Sequence, residues 1–199
     1  DEVLAAMGRA HTAGQFRDAY ALARAAGFGA INTDLIAGLP KDSPVGFRQT
    51  LDQIIALEPE EITVHTLALK HGSTLLTTGA GGEVPDAGAV TQMLAYAAQV
   101  LPQAGYRPYY LYRQKYMTGA MENVGWTRRA QSGFYNIVMM EELSSVLALG
   151  SGGVTKLIDR RTGAVKRHTN PKYPKEYLER LEEILAEREA LPWPISSRR

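Results

Sequence analysis

The chain has 199 residues, enough for one substantial hydrophobic core or two small ones. Its 22 basic and 21 acidic residues give a net charge of +1, which excludes a strong overall attraction to nucleic acid or to a membrane surface. It contains no Cys, so it can form no disulfide and no cysteine-ligated metal site. No run of apolar residues approaches the roughly 20 that a membrane-spanning helix needs. We therefore expect a globular, cytoplasmic protein with no membrane or nucleic-acid partner.

The chain begins without Met, on a short helical pattern that runs from Asp1 to Met7 and that Gly8 ends. The acidic start is unlike a signal peptide. We expect the sequence to be a piece of a longer protein.

Helix and strand patterns alternate through the first hundred residues. Apolar residues at helical spacing predict helices at residues 16–26, 44–57 and 90–101, the second with Ser43 as its N-cap. Apolar runs with β-branched residues predict buried strands at 30–37 and 61–69. Strand, helix and strand in this order form a βαβ unit, whose two strands should be parallel. The predicted fold class is α/β, and a barrel or a doubly wound sheet would fit.

The pattern changes after Gly105, which ends the third helix. We predict an extended aromatic segment, then a hairpin, then a long amphipathic terminal helix, at residues 106–116, 154–168 and 177–191. The chain is accordingly divided into an α/β part over residues 1–118 and a smaller α+β part over residues 119–199.

Asp34 is the first candidate for a functional residue. Side chains alternate along a strand, so Asn32, Asp34 and Ile36 share one face. A carboxylate inside a buried parallel strand needs a partner, and ligands of α/β folds bind beyond the carboxyl ends of the strands. Asp34 and the turn from Gly38 to Pro40 are therefore predicted near a site. The alternative is a structural carboxylate paired with an Arg, and a turn with no ligand.

The segment from Tyr109 to Tyr116 mixes aromatic rings with the cations Arg113 and Lys115. It could stack the bases of single-stranded RNA, or it could bind a flat polycarboxylated ring whose carboxylates pair with the cations. The third possibility is an edge strand with its rings packed underneath.

Two other features favour structural roles. Gly150, Gly152 and Gly153 match neither a Walker loop nor a dinucleotide fingerprint, which favours a turn. The four His residues lack metal-ligand spacing, so no metal site is predicted.

Several motifs together resemble one known family. The segment Asn-Thr-Asp-Leu-Ile-Ala-Gly-Leu-Pro at residues 32–40 closely resembles the strand and turn of oxygen-independent coproporphyrinogen oxidases, which are radical-SAM enzymes. Further matching stretches follow in the family's order, at residues 8–12, 62–68 and 104–106. Three others look most like the coproporphyrinogen dehydrogenase subgroup called HemZ, at residues 110–115, 122–126 and 135–142. The resemblance covers residues 1 to 190.

The resemblance implies the C-terminal part of a radical-SAM (β/α) barrel, followed by the smaller α+β part. The positions that match the family's contacts to S-adenosylmethionine are Arg9, Asp34, Ala68 and Val154. Gly38 and Pro40 would form the turn on the adenine side, and Arg113 and Lys115 would pair with substrate propionates. The Cys-x-x-x-Cys-x-x-Cys loop that holds the iron–sulfur cluster is absent, and in the family it precedes the residue matching Asp1. We therefore expect this chain alone to be inactive.

The parent enzyme would convert two propionates of coproporphyrinogen III to vinyls in haem biosynthesis. Its cofactors would be S-adenosylmethionine and a 4Fe–4S cluster reduced by an electron donor, and a deoxyadenosyl radical would abstract the propionate hydrogen. The alternatives are a haem chaperone on the same scaffold and an RNA-binding module. The missing barrel strands would expose a sheet edge near Asp1, at which we expect self-association or a rearranged segment.

Overall fold

A computed structural model of the chain describes residues 1–68, 84–112, 122–129 and 133–191. The chain divides into two compact units, Asp1–Phe134 and Tyr135–Arg199. This division lies later than the predicted boundary after residue 118, because the strand at Asn123–Thr127 pairs within the sheet of the first unit.

The first unit alternates helices and strands, as its sequence pattern predicts. Its elements are α1 (Glu2–Ala6), α2 (Ala13–Ala25), β1 (Asn32–Ala37), α3 (Pro44–Ala56), β2 (Glu61–Thr66), α4 (Ala87–Gln103), β3 (Arg107–Tyr112) and β4 (Asn123–Thr127). Side-chain caps begin its three long helices. Thr12, Ser43 and Asp86 each accept a hydrogen bond from a backbone N–H in the first turn, which satisfies a donor that the helix itself cannot.

The four strands form one sheet in the order β1-β2-β4-β3. β1 and β2 are parallel, which confirms the predicted βαβ unit. β4 enters between β2 and β3 and is antiparallel to both. In the described residues β1 pairs with β2 alone, so this part of the chain forms an open sheet and not a closed barrel.

The hydrophobic core lies between the sheet and the helices α3 and α4. Alternate strand residues supply one wall, and the apolar stripes of the two helices supply the other. The fully or nearly fully buried members include Leu35, Ala37, Phe47, Leu51, Ile62, Val64, Val90, Met93, Ala97, Leu101 and Trp126. Each large side chain buried in this way stabilises the fold by about 1.5–3 kcal/mol. Among the described residues, α3 and α4 pack on this face of the sheet, and the opposite face carries polar side chains.

An ion-pair cluster lies at the end of the sheet where β2 begins. Glu60 accepts hydrogen bonds from Arg24 Nη1 at 2.9 Å, from Arg129 Nη2 at 3.2 Å and from the backbone N–H of Ile31 at 2.9 Å. Burial acts to raise the pKa of Glu60, but these bonds from Arg24 and Ile31 outweigh it and the pKa is lowered. The cluster therefore joins the end of α2 to the starts of β1 and β2.

The second unit contains a hairpin and short helices. Its elements are β5 (Val154–Ile158), β6 (Val165–Thr169), α6 (Pro174–Glu179) and α7 (Leu181–Glu189), and α5 (Phe134–Met140) spans the division between the units. The predicted hairpin is present as an antiparallel pair. The predicted single terminal helix is two helices instead, because the backbone of Arg180, at φ −105° and ψ 15°, departs from helical geometry.

In the described ranges, none of the helices has both the length and the apolar character needed to cross a membrane.

Candidate functional site

The sheet face opposite the helices carries a row of polar and aromatic side chains. The strand register sets Asp34 beside Thr63, Thr63 beside Gly125, and Gly125 beside Tyr110. Because alternate residues of a strand share a face, Asn32 and His65 lie on this face as well. We call this set the polar face, and it consists of Asn32, Asp34, Glu61, Thr63, His65, Tyr109, Tyr110, Tyr112 and Gly125.

Gly125 makes room for the ring of Tyr110. A Cβ atom at residue 125 would overlap that ring, so no larger residue fits unless the ring moves. The Tyr110 hydroxyl reaches to 3.4 Å from Thr63 Oγ1, and Thr63 donates to Asn32 Oδ1 at 3.2 Å. Burial raises the pKa of Tyr110, so this hydroxyl remains protonated over the physiological range.

Asp34 lies near the middle of the polar face and is held as a carboxylate. Its Oδ1 accepts a hydrogen bond from Asn32 Nδ2 at 2.8 Å, and His65 Nε2 lies 3.8 Å from the same oxygen. The interaction with His65 is the largest cause of a lowered Asp34 pKa, and it acts against the effect of burial. The side chain is 60% exposed, so the expectation of an acid inside a buried strand is wrong. β1 is buried on its helix-facing side only.

His65 lies between Asp34 on β1 and Tyr112 on β3, on the same face of the sheet. The Tyr112 hydroxyl lies 3.2 Å from His65 Nδ1. The two rings meet edge to face, with centroids 6.3 Å apart and planes at 71°. Asp34, His65 and Tyr112 therefore form a continuous polar path across the sheet.

Glu61 and Tyr109 occupy the end of the polar face where β2 begins. Tyr109 donates a hydrogen bond to Glu61 Oε2 at 3.0 Å. The strand register shifts between Pro108 and Tyr110, and because of this shift both Tyr109 and Tyr110 contact side chains of the polar face. The backbone of Gly133 lies close enough that a Cβ atom there would stand 2.7 Å from Glu61 Oε2. Glu61 is consequently buried, at 7% exposure.

The predicted adenine-side turn follows the carboxyl end of β1. Gly38 has a φ of +85°, and a Cβ atom there would lie 2.9 Å from Val90 Cγ2. Pro40 is fully buried. The packing of this turn against α4 thus accounts for the glycine without a ligand. Ala68 follows the carboxyl end of β2, and Leu67 N–H before it bonds Ala37 O at 2.9 Å.

Arg9 lies in the loop between α1 and α2, and its side chain is exposed. The salt bridge from Lys41 Nζ to Glu2 Oε1, 3.8 Å long, brings α1 to the carboxyl end of β1. The Arg9 loop is therefore at the same end of the sheet as Gly38. Within the described residues no hydrogen bond or ion pair joins Arg9 to Asp34.

Three other predicted contacts belong to other parts of the chain. Val154 begins β5 in the second unit, where it pairs with Thr169 and is 41% exposed. Arg113 and Lys115 lie outside the described residues. Their expected roles toward cofactor and substrate stay predictions.

The glycine loop of the second unit has the features of a turn. Gly152 N–H donates to Pro171 O at 2.7 Å, and Gly153 N–H donates to Gly150 O at 3.3 Å. Asn170 Nδ2 donates to the carbonyl of Gly150 at 2.8 Å. These backbone groups already have protein partners, so they do not form a phosphate cradle.

Sequence reasoning missed His65, Asn32 and Thr63 as members of the site. His65 was assessed only for metal-ligand spacing, which it lacks. The available signal was the predicted parallel pairing of two strands, because such pairing brings alternate residues of both strands onto one face.

The polar face offers a hydrogen-bond acceptor and, among the described residues, no group of metal ligands. Asp34 presents an exposed, ionised carboxylate that can accept hydrogen bonds from hydroxyl groups. In the described part of the chain, no three His, Asp or Glu side chains are grouped to hold a metal ion. The sequence contains no Cys, so an iron–sulfur cluster has no thiolate ligand here. The residues present fit the ribose of S-adenosylmethionine, but they do not fit the cluster.

The similar proteins agree with the family resemblance found in the sequence, although no family model matches the chain. The chain is 41% identical over 188 residues to the oxygen-independent coproporphyrinogen-III oxidase-like protein HemZ of Bacillus subtilis, over 94% of this chain and 38% of that protein. It is 28% identical over 178 residues to the heme chaperone HemW of Haemophilus influenzae, over 89% of this chain and 42% of that protein.

A solved structure shows the fold. Coproporphyrinogen III oxidase (HemN) from Escherichia coli, a radical-SAM enzyme, matches 92% of this chain with a TM-score of 0.63 at 19% identity. The match covers 41% of that structure. This structural similarity confirms the predicted α/β fold class as part of a radical-SAM fold. The chain spans well under half the length of these relatives. On this sequence identity, it belongs to the family of oxygen-independent coproporphyrinogen-III oxidase-like proteins.

Proposed function

We propose that this chain is the C-terminal part of an oxygen-independent coproporphyrinogen III dehydrogenase. The observation that carries the proposal is Asp34, whose ionised and exposed carboxylate stands where the family resemblance expects a contact to S-adenosylmethionine. The 41% identity to a coproporphyrinogen-III oxidase-like protein supports the same activity.

In this proposal the polar face binds and orients the adenosine part of the cofactor. Asp34 accepts a hydrogen bond from a ribose hydroxyl, and Asn32 and His65 hold the carboxylate in place. As the resemblance implies, Arg9, Ala68 and the turn from Gly38 to Pro40 contribute further contacts, and the resemblance also assigns Val154 of the second unit to the cofactor. When bound, S-adenosylmethionine and a 4Fe–4S cluster supply the one-electron chemistry that removes a hydrogen atom from a propionate. The protein's part is to orient the reactants and to exclude water.

The substrate and the remaining partners follow from the same proposal. Arg113 and Lys115 pair with propionates of the porphyrinogen, because a cation next to a carboxylate forms a strong charge-assisted contact. An electron donor reduces the cluster, and the reaction takes place in the cytoplasm. The cluster ligands belong to a part of the protein that this chain does not contain, so the chain alone is inactive.

The test uses the full-length protein that contains this chain, with its cluster reconstituted anaerobically. We expect conversion of coproporphyrinogen III to a product with two vinyl groups, detected by chromatography and mass spectrometry. Asp34→Asn keeps the shape but removes the charge, so binding of S-adenosylmethionine should weaken about 10-fold to 100-fold. Normal binding by a folded Asp34→Asn protein would refute the cofactor role of Asp34.

A haem chaperone is the second candidate, because the match to the heme chaperone HemW extends over 89% of the chain. Titration with haem separates the two functions. A chaperone binds haem stoichiometrically and yields no vinyl product, whereas a dehydrogenase yields product whether or not haem binds.

The polar face argues against the RNA-binding alternative. The carboxylates of Asp34 and Glu61 lie beside the tyrosines that would have to stack the bases. A phosphate backbone near these carboxylates would be repelled. Salt-dependent binding of single-stranded RNA would be the contrary result.

A further inference from the structure

The two neighbours of the His65 ring, Asp34 and Tyr112, indicate which ring nitrogen carries the proton. His65 Nε2 faces Asp34 Oδ1 at 3.8 Å, and Nδ1 faces the Tyr112 hydroxyl at 3.2 Å. A carboxylate can only accept a hydrogen bond, whereas a phenol hydroxyl can donate one. A neutral ring with its proton on Nε2, toward Asp34, and with Nδ1 accepting from Tyr112 therefore matches both neighbours.

We propose that His65 is a positioning residue that orients the Asp34 carboxylate toward a hydroxyl of S-adenosylmethionine, and that Tyr112 holds His65 in the required tautomer. The identity of the ligand rests on the function proposed above. The arrangement of the three side chains does not.

The geometry of the sheet supports this role. Asn32 and His65 both approach Oδ1 of Asp34, so we assign Oδ2 to the ligand. The edge-to-face contact with the Tyr112 ring restricts the rotation of the His65 ring. The 3.8 Å separation is slightly too long for a direct hydrogen bond. Such contacts often shorten when the ligand binds.

The other ionisable groups of the face do not compete for this role. Glu61 is bonded to Tyr109, at the opposite end of the strand. The hydroxyl of Tyr110 faces Thr63. β4 contributes Gly125 to the face and no charged side chain at that row. His65 is therefore the group that controls the charge environment of Asp34, which agrees with its place as the largest cause of the lowered Asp34 pKa.

Three variants of the full-length, cluster-loaded protein separate the hydrogen bonding of His65 from the space that its ring fills. His65→Phe keeps a ring of similar size but has no donor. His65→Gln keeps an N–H donor near the position of Nε2. Tyr112→Phe keeps the ring and removes the hydroxyl that fixes the tautomer. Tyr96→Phe is the matched control, because the Tyr96 hydroxyl also meets a carboxylate, Asp52 at 2.7 Å, but on the helices.

Calorimetric titration with S-adenosylmethionine gives the first readout. We expect binding to weaken about 10-fold in His65→Phe, to recover largely in His65→Gln, and to weaken about 3-fold in Tyr112→Phe. Tyr96→Phe should bind like the parent protein. Circular dichroism identifies any variant that fails to fold, and if His65→Phe does not fold, Tyr112→Phe decides in its place. Parent-like binding by folded His65→Phe would overturn the proposal.

The second readout needs no cofactor. Nitrogen NMR of ¹⁵N-histidine-labelled protein distinguishes the two neutral tautomers of the ring. We expect the Nε2–H form for His65 in the parent and a mixture of both forms in Tyr112→Phe. The proposed orientation would be refuted if His65 of the parent protein had its proton on Nδ1. It would also be refuted if the tautomer were the same in Tyr112→Phe as in the parent. If the parent protein fails to bind S-adenosylmethionine, the proposed function is wrong, and the tautomer alone decides whether His65 orients Asp34.

Discussion

Replacing Glu60 by Gln tests whether the ion-pair cluster stabilises the first unit. The Glu60 side chain is only 12% exposed, and it accepts from Arg24, Arg129 and the N–H of Ile31. Gln keeps one acceptor oxygen, but its amide group then faces a guanidinium and cannot bond to it. One to two charge-assisted hydrogen bonds are lost, each worth about 1.5–3 kcal/mol. We therefore expect the free energy of unfolding to fall by about 1.5–6 kcal/mol.

The matched control is Glu58→Gln. Glu58 also pairs with an arginine, Arg128 at 3.0 Å, but its side chain is 70% exposed. A surface pair of this kind contributes about 0–1 kcal/mol. A loss in Glu60→Gln no larger than the loss in Glu58→Gln would refute the reasoning.

Urea unfolding followed by tryptophan fluorescence measures the effect in the first unit. The sequence has two Trp residues, Trp126 and Trp193. Trp126 is buried in β4, at 7% exposure, so it reports on the sheet. A Trp193→Phe background makes it the single fluorophore.

The pH dependence of the same measurement has a defined sign. The pKa of Glu60 is lowered in the folded state. Its contribution is therefore fully present above the unfolded value of about 4.5 and is lost as the pH falls through the folded pKa. Glu60→Gln should flatten this acid side of the stability curve. It should leave the slope above pH 6 unchanged.

Three further predictions follow from particular contacts. Gly125→Ala should displace the ring of Tyr110 and destabilise the first unit by about 1–3 kcal/mol in the same urea assay, and an unchanged midpoint would contradict the packing. Asp86→Ala removes the cap bond to Ala89 N–H, 2.7 Å long, and should cost about 1 kcal/mol, whereas Asp86→Asn should retain most of it. The 199-residue chain without Cys should acquire no cluster on reconstitution, so a stoichiometric 4Fe–4S absorbance would refute the inactivity proposed for it.

The βαβ unit could be predicted because its signals are local. β1 and β2 are apolar runs with β-branched residues, and Ser43 with Pro44 marks the start of the helix between them. β4 could not be predicted in this way. Its sequence, Asn-Val-Gly-Trp-Thr, contains strand-forming residues, but the run has only five residues and Gly125 interrupts it. The strand is stabilised by pairing with β2 and β3, which lie far away in the sequence.

The candidate site was predictable only in part, for a related reason. The strand pattern of β1 identifies the face of Asp34, but it does not say which face the helices cover. The partner of His65 on β2 is Tyr112 on β3, and β4 lies between these two strands in the sheet. A contact of this kind has no signature in the spacing of either segment. Asp34 was selected by the strand pattern and by the family resemblance, and its role toward a cofactor stays a prediction.

The two acidic positions on the polar face differ in burial, and this difference indicates which end can receive a ligand. Glu61 is 7% exposed, bonded to Tyr109 and approached by the backbone of Gly133, so a ligand would have to displace existing contacts there. Asp34 is 60% exposed and lies further along the strands, toward their carboxyl ends. In α/β folds ligands bind at the carboxyl ends of parallel strands. Exposure and strand direction thus favour the end with Asp34 and His65, rather than the end with Glu61, for the ligand that we propose.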